Sequence, residues 1–100
     1  MNKLDQIKAV ALAMDDLRTV RILNYLKDHE SNYSKIRRDL NMRHGHHYHG
    51  LQKLMRAKLV YRVQHRISEN IDVKYTVYSI TEYGKEMLEA IQKVNRRYFG

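Results

Sequence analysis

Residues 34–60 read SKIRRDLNMRHGHHYHGLQKLMRAKLV, and the pattern of this segment is the strongest indication of the fold. Ser34 can cap a short helix that runs through Leu40, because a serine hydroxyl accepts a hydrogen bond from a free backbone N–H of the first helical turn. Residues 41–45 are typical of a turn, and a longer helix follows to about Lys58. Apolar residues recur at three and four positions in both segments. The stretch therefore predicts two helices joined by a tight turn.

Two more helical segments precede this pair, over residues 4–27. Asp16 can cap a new helix, so we predict a break at Asp15-Asp16 and a second helix from about residue 16. Residues 31–32 are predicted to form a loop. The first segment carries an apolar stripe of Leu4, Ile7, Ala11 and Met14.

Beyond residue 58 the pattern changes. Segments 59–67 and 73–80 are rich in the residues enriched in strands, and the polar stretch 68–72 joins them as a hairpin loop. Thr81 then caps a last helix. Its apolar face consists of Tyr83, Met87, Leu88, Ile91, Val94 and Tyr98. The predicted fold class is α+β, mainly α, with helices followed by a two-stranded hairpin and a final helix.

The composition limits the function classes. One hundred residues fit a single domain. The absence of cysteine excludes disulfides, thiol catalysis and cysteine-ligated metal centres. No apolar run approaches the roughly 20 residues of a membrane span, and residues 1–6 lack the apolar core of a signal peptide. We therefore expect a cytoplasmic protein with no membrane contact.

The whole net charge of +8 lies between Tyr33 and Arg66. This window holds nine lysines and arginines against one acid, Asp39, while the rest of the chain holds ten residues of each sign. A scattered basic excess can serve solubility alone. Its concentration in one third of the chain is typical of a surface that meets a polyanion, most often nucleic acid.

Residues 36–60 resemble the helix-turn-helix of bacterial and archaeal transcription regulators of the MarR, ArsR and PadR type. The matching residues are Ile36, Leu40, Met42, Leu51, Leu54 and the strand start Leu59-Val60. Residues 78–84, YSITEYG, are similar to the second wing strand of these families, which runs into a capped helix with an early glycine. The small archaeal members with an extended C-terminal dimerisation helix are the most similar.

The resemblance implies a single winged helix-turn-helix DNA-binding domain. It divides the chain into an N-terminal helical extension (1–15), a winged-helix core (16–80) and a C-terminal dimerisation helix (81–100). Two features depart from the family pattern. The usual glycine before the Leu-Val pair is Lys58, so the recognition helix must end without an easy left-handed residue. The recognition helix, about residues 44–58, is also crowded with histidine.

At about 100° per residue the recognition helix has two different sides. The side expected to be buried consists of His47, Leu51, Leu54 and Lys58, with Gly50 beside it allowing close approach of the helix over 34–40. The outward side consists of Gly45, His49, Gln52, Lys53 and Arg56, flanked by His46 and Tyr48. Glutamine pairs bidentately with adenine, arginine with guanine, and lysine with guanine or phosphate. A solvated helix face is the alternative.

The run of histidines from His44 to His49 raises the alternative of a metal site. Imidazoles three positions apart, as in His46 and His49, can share a zinc or nickel ion. The run has no nearby acid or cysteine, and two nitrogens do not complete a tetrahedral site. We therefore predict no metal and no other cofactor. Nothing in the sequence marks a pocket for a small-molecule ligand.

The predicted wing, residues 59–80, carries Arg62, Gln64 and Arg66 on one strand face, with Lys74 across from them. Arg66 and Asn70, near the tip, are placed to enter a minor groove or to touch phosphate, and a solvated hairpin face is the alternative. The predicted DNA-contacting residues are Lys35, Arg37, Arg38, Arg43, His44, His46, Tyr48, His49, Gln52, Lys53, Arg56, Arg62, Arg66 and Lys74.

These observations predict a sequence-specific, double-stranded DNA-binding transcription regulator, located on the nucleoid, with the recognition helix in the major groove and the wing on the adjacent backbone or minor groove. The alternative is an architectural nucleoid protein that binds duplex without reading bases, and a lesser one is a winged-helix protein–protein module. An enzyme is not expected, because the sequence has no nucleophile-and-base pattern or phosphate-binding glycine loop.

The two ends of the chain predict a homodimer. A winged helix needs only three helices and the hairpin, and the extra apolar stripes would be exposed in a monomer. The alternative is that both end helices fold back over their own domain. The predicted interface consists of Leu4, Ile7, Met14, Met87, Ile91, Val94 and Tyr98.

Overall fold

A computed structural model describes the backbone of residues 3–68 and 71–98. Within these ranges it describes every side chain except those of residues 44, 46, 67, 68, 71–74 and 94–98. The elements are α1 (Lys3–Met14), α2 (Leu17–Tyr25), α3 (Tyr33–Asp39), α4 (His44–Arg56), β1 (Val60–Ser68), β2 (Ile71–Ile80) and α5 (Glu82–Tyr98). The predicted order of elements and the mainly helical α+β class are confirmed.

Strands β1 and β2 form an antiparallel hairpin in which Val60 lies opposite Ile80, and Arg66 opposite Lys74. The predicted hairpin loop over 68–72 is wrong in extent, because Ser68 pairs with Ile71 and both strands continue beyond their predicted ends. Asn70, predicted to lie near the tip, falls outside the described residues.

The predicted loop at residues 31–32 is also more ordered than expected. The backbone N–H of Ser31 donates to the Tyr78 carbonyl oxygen at 3.1 Å, and the Tyr78 N–H donates back to the Ser31 oxygen at 2.8 Å. This single bridge adds a one-residue strand to the edge of β2. It ties the connection between α2 and α3 to the hairpin.

One hydrophobic core joins the helices to the base of the hairpin. Burying a leucine or isoleucine side chain stabilises a fold by about 1.5–3 kcal/mol. The buried aliphatic residues include Ile22, Leu23 and Leu26 of α2, Ile36 of α3, Leu51 and Leu54 of α4, Leu59, and Leu88 of α5. His47 is fully buried as well, on the predicted inward side of α4, with its ring centroid 4.0 Å from that of Tyr33.

The helix starts follow from their capping residues. Asp16 caps α2 as predicted, and its carboxylate accepts from the backbone N–H of Arg18 at 2.9 Å. The prediction that Ser34 caps the next helix is wrong. Asn32 caps it instead, because its side chain accepts from the Lys35 N–H at 2.8 Å and its extended backbone starts the helix one residue before Ser34.

The position of α4 is set by a close approach to α2. A Cβ placed on Gly50 would lie 2.7 Å from Ile22 Cδ1 and 3.6 Å from Thr19 Cγ2. The prediction that Gly50 faces the helix over 34–40 is therefore wrong, because the neighbour is α2. With the Gly50 side turned toward α2, the opposite side of α4 faces outward.

Both α3 and α4 end in a Schellman motif. At the end of α4 the Lys58 N–H donates to the Met55 oxygen at 3.0 Å, and the Leu59 N–H donates to the Leu54 oxygen at 2.9 Å. Lys58 takes the left-handed conformation, φ 63°, that glycine usually supplies, so it is exposed beyond the helix and not on its buried side. Asn41 does the same after α3, with φ 51°.

The turn after α4 is joined to the start of α5. Thr81 caps α5 as predicted, because its hydroxyl accepts from the Gly84 N–H at 2.9 Å. The same hydroxyl donates to the Lys58 carbonyl oxygen at 2.8 Å. A Cβ on Gly84 would overlap the Leu59 carbonyl oxygen, which explains the early glycine of this helix.

The terminal helices pack on the domain by one side and expose the other. In α1, Ala9, Val10 and Ala13 are buried, while the predicted stripe residues Leu4 and Ile7 are 65% and 56% exposed. Met14 and, in α5, Met87 are half-buried against the core, and Ile91 is half-buried. Tyr83, predicted on the apolar face of α5, is exposed. No helix within residues 3–68 and 71–98 combines the length and apolar character needed to cross a membrane.

Replacing Lys58 with glycine should raise the free energy of unfolding by about 1 kcal/mol, because the left-handed conformation is strained for a residue with a Cβ. Urea denaturation followed by circular dichroism measures this difference. Asn41→Gly is the matched control, and its gain should be smaller because asparagine tolerates this conformation. A Lys58→Gly variant no more stable than the wild type would contradict the assignment.

Candidate nucleic-acid interface

The outward side of α4 carries polar and basic side chains at helical spacing. His49 and Arg56 are exposed, and Gln52 and Lys53 are half-buried. Tyr48, on the flank, is 48% exposed, with its ring 5.8 Å from that of His49. The predicted outward side of α4 is therefore confirmed for the side chains that the structure describes.

Two open clefts run along this side of α4. The first, about 330 Å³, lies between α4 and the start of α2, and the second, about 580 Å³, lies between α4 and β1. Gln52 and Arg56 line both clefts, so they lie at the centre of one continuous surface. We call this surface the basic face, which consists of Arg18, His49, Gln52, Lys53, Arg56 and Arg62.

One acid, Asp16, organises the first cleft. One oxygen, Oδ1, accepts from the Arg18 backbone N–H at 2.9 Å and from Arg18 Nε at 3.1 Å. The other, Oδ2, accepts from Arg18 Nη2 at 3.2 Å and from Lys53 Nζ at 3.2 Å. The hydrogen bond from the Arg18 guanidinium is the largest influence on the pKa of Asp16. Burial alone would raise this pKa. The hydrogen bonds from the Arg18 guanidinium, the Arg18 backbone N–H and Lys53 outweigh burial and lower the pKa to about 2.

The basic side chains on α3 and at the start of α4 are exposed. Arg38 Nε lies 3.6 Å from the carboxylate of Asp39, which also accepts from the Tyr25 hydroxyl at 2.6 Å. The predicted DNA-contacting residues of this region are Lys35, Arg37, Arg38 and Arg43. None of the four lines the two clefts of the basic face.

The hairpin places Arg62 and Arg66 on its exposed surface. Arg62 joins the basic face, and Arg66 lies farther along β1, opposite Lys74. His65, between them in sequence, points the other way: its Nε2 lies 3.5 Å from Glu30 Oε1 and its ring centroid 5.3 Å from that of Tyr75. The His65 side chain thus lies against the α2–α3 connection, which the Ser31 bridge joins to the hairpin.

Several predicted site residues cannot be placed by their side chains. Those of His44, His46 and Lys74, and of the predicted interface residues Val94 and Tyr98, lie outside the described part of the chain. Among the described side chains, no three histidines or acids are grouped as a metal site.

No protein-family model matches the chain, and no curated protein matches it. Solved structures do. The chain is 23% identical to the homodimeric winged helix-turn-helix DNA-binding domain of a possible ArsR-family transcriptional regulator from Mycobacterium bovis, with a TM-score of 0.77 over 97% of this chain and 84% of that one. This chain has the winged helix-turn-helix fold.

Two more winged-helix structures give the same result. Reduced HlyU from Vibrio cholerae is 21% identical, with a TM-score of 0.66 over 95% of this chain and 90% of that one. A PadR family transcription regulator from Clostridium difficile is 18% identical, with a TM-score of 0.66 over 85% of this chain and 100% of that one. In the winged helix-turn-helix, α3 and α4 are the two motif helices, α4 takes the recognition position, and β1 and β2 form the wing.

Arg18 belongs to the basic face but is not among the DNA-contacting residues predicted from the sequence. Asp16 was expected only as a helix cap, and its ion pair with Lys53 was not expected at all. Lys53 follows Asp16 by 37 positions, so no local pattern links them. The one local signal was the arginine two positions after a capping aspartate, where its guanidinium can fold back onto the carboxylate.

Asp16→Asn should remove a part of the stability that depends on pH. The pKa of Asp16 is depressed in the folded state, so its contribution is full above its ordinary pKa of 3.8 and is lost as the pH falls toward about 2. Denaturation at a series of pH values should show the variant about 1 kcal/mol less stable at pH 6, since asparagine keeps the cap but loses the charge. The gap should close between pH 4 and pH 2. A gap that stayed constant down to pH 2 would contradict the depressed pKa.

Proposed function

We propose that the chain is a sequence-specific, double-stranded DNA-binding transcription regulator that acts on the nucleoid in the cytoplasm and carries out no catalysis. The proposal rests on the polar and basic side chains that line the outward side of α4. There, in the recognition position of a winged helix, Gln52 and Arg56 lie at the centre of the basic face.

The spacing of these two side chains suits base reading. Gln52 and Arg56 are one helical turn apart, which separates them by about 6 Å along the axis of α4. An α-helix fits the major groove, where glutamine can pair with the N6 and N7 of adenine and arginine with the O6 and N7 of guanine. Each side chain can therefore meet a different base pair.

The surrounding cations suit the phosphate backbone. Arg62 and Arg66 lie on the wing, and Arg43 precedes α4. Exposed lysine and arginine side chains line α3. Such contacts fix the register of a protein on the duplex without reading its sequence. The proposed phosphate-contacting set is Lys35, Arg37, Arg38, Arg43, Arg62, Arg66 and Lys74, and His44, His46, Tyr48 and His49 flank the base readers.

Gln52→Ala and Arg56→Ala should lower discrimination between a preferred site and random duplex by about 1–3 kcal/mol each, because each removes a bidentate base contact. Arg62→Ala should lower the affinity for both duplexes by the same factor. It should also make the slope of log K against log salt shallower by roughly 0.9. Fluorescence anisotropy on a site selected from random sequence measures all three.

Lys27→Ala is the control for lost charge, since Lys27 lines a separate cleft with Lys85, Leu88 and other residues of α5. It should leave both affinities within twofold of the wild type. Equal losses on selected and random DNA for Gln52→Ala and Arg56→Ala would reject base reading and favour an architectural protein. Failure of the wild type to bind duplex at low salt would reject DNA binding itself.

We also propose that the chain forms a homodimer through its terminal helices. The outer side of α1 exposes large apolar side chains, including Leu4 at 65% and Leu12 at 63%. Exposed apolar surface of this kind marks an interface more often than a free surface. The winged-helix domain from Mycobacterium bovis is homodimeric. A two-fold dimer would present two copies of α4 about 34 Å apart, matching an inverted repeat.

Sedimentation at micromolar concentration should give twice the 12.1 kDa mass of one chain. Ile7→Glu and Ile91→Glu should each shift the protein to monomer, because a buried, unpaired carboxylate is costly at an apolar interface. Tyr75→Glu is the control, since Tyr75 is 48% exposed on the wing. The dimer would be refuted if the wild type sedimented at 12.1 kDa and neither glutamate variant changed this mass.

A further inference from the structure

An acid lies at the edge of the basic face. Among the described residues that line its two clefts, Asp16 is the single acid, and it lies beside Arg18, Lys53 and Arg56 in the first cleft. An acid at this position opposes the phosphates of any duplex that reaches α4, because like charges repel.

Asp16 does more than cap α2. Capping needs only the contact between Oδ1 and the Arg18 backbone N–H. The second oxygen, Oδ2, is used entirely by side chains: it accepts from the Arg18 guanidinium and from the Lys53 ammonium, each at 3.2 Å. The Asp16 side chain is only 16% exposed, whereas those of Arg18 and Lys53 are 45% and 38% exposed, so both cations still reach solvent at the cleft.

Arg18 and Lys53 carry two positive charges, and Asp16 reduces the net charge of the three side chains to +1. Lys53 holds the position on α4 from which a lysine would reach the phosphate backbone or a base. Its ammonium is instead held at the side of α2, by the shortest non-local ion pair among the described residues. A duplex must compete with Asp16 for this cation.

We propose that Asp16 limits the sequence-independent affinity of the basic face for DNA by holding Lys53 and Arg18, so that about one positive charge is withheld from the phosphate backbone. This inference rests on the proposed DNA-binding function. It makes Asp16 a positioning residue that acts through Lys53 and Arg18, and the partner that these cations would contact is the phosphodiester backbone of duplex DNA. We expect the same effect on every sequence, because a contact with phosphate carries no sequence information.

The test is Asp16→Asn, because asparagine caps a helix as well as aspartate does and keeps an acceptor for the Arg18 N–H. Asp15→Asn is the matched control: it changes the net charge equally, but Asp15 lies beside Lys8 and Leu12 on the α1 surface and not in the clefts of the basic face. Affinities for random and selected 20-base-pair duplexes are measured by anisotropy between 50 and 300 mM salt.

Asp16→Asn should bind both duplexes roughly five- to tenfold more tightly at 0.1 M salt, with the slope of log K against log salt steeper by roughly 0.9, as expected for one more neutralised phosphate. Asp15→Asn should change either affinity less than twofold. In a background that carries both Lys53→Ala and Arg18→Ala, the gain from Asp16→Asn should fall to twofold or less, which places the effect on the two cations that Asp16 holds.

Each other result rejects the inference. Unchanged or weaker binding by Asp16→Asn, with the wild type binding normally, leaves the DNA-binding function intact and shows that Asp16 does not limit the affinity for DNA. An equal gain from Asp15→Asn shows a general charge effect. Asp16→Ser, which also caps, replaces the variant if Asp16→Asn fails to fold. If the wild type binds no duplex at 50 mM salt, the proposed function fails together with the inference.

Discussion

The orientation of α4 depends on one close contact, in which Gly50 lies against Ile22 and Thr19 of α2 with no free room for a Cβ. Neighbouring Leu51 and Leu54 are fully buried on the same side. A helix held this way has no freedom to rotate about its axis without exposing leucine or burying charge. The contact therefore decides which side chains of α4 face outward, and Gln52 and Arg56 are among them.

Two turns then fix what surrounds that helix. Asn41 and Lys58, both left-handed, end the two motif helices and direct the chain into α4 and into the wing. Thr81 and the Lys58 carbonyl oxygen join the end of α4 to the start of α5. The wing consequently begins right beside the recognition helix, which brings Arg62 into the same cleft as Arg56. The packing of α4 and the wing thus places the cations of the basic face on one surface, and this concentration of positive charge suits a polyanion.

The periodic features of the chain could be predicted from its sequence, and the non-local ones could not. Helical spacing identified the buried and outward sides of α4, and the Val-, Ile- and Tyr-rich segments identified the strands. Asn32 and Ser34 are both good caps two residues apart, so composition alone did not decide between them. The bridge of Ser31 to Tyr78 and the ion pair of Asp16 with Lys53 join distant parts of the chain, and only the tertiary fold brings them together.

The proposed function requires that the outward side of α4 reads bases in two symmetry-related half-sites. Footprinting of the purified protein on genomic DNA from its source measures this. We expect discrete protected regions, each an inverted repeat whose half-site centres lie about 10 base pairs apart, as two recognition helices roughly 34 Å apart require. Uniform protection of all fragments at one protein concentration, or no protection at all, would contradict it.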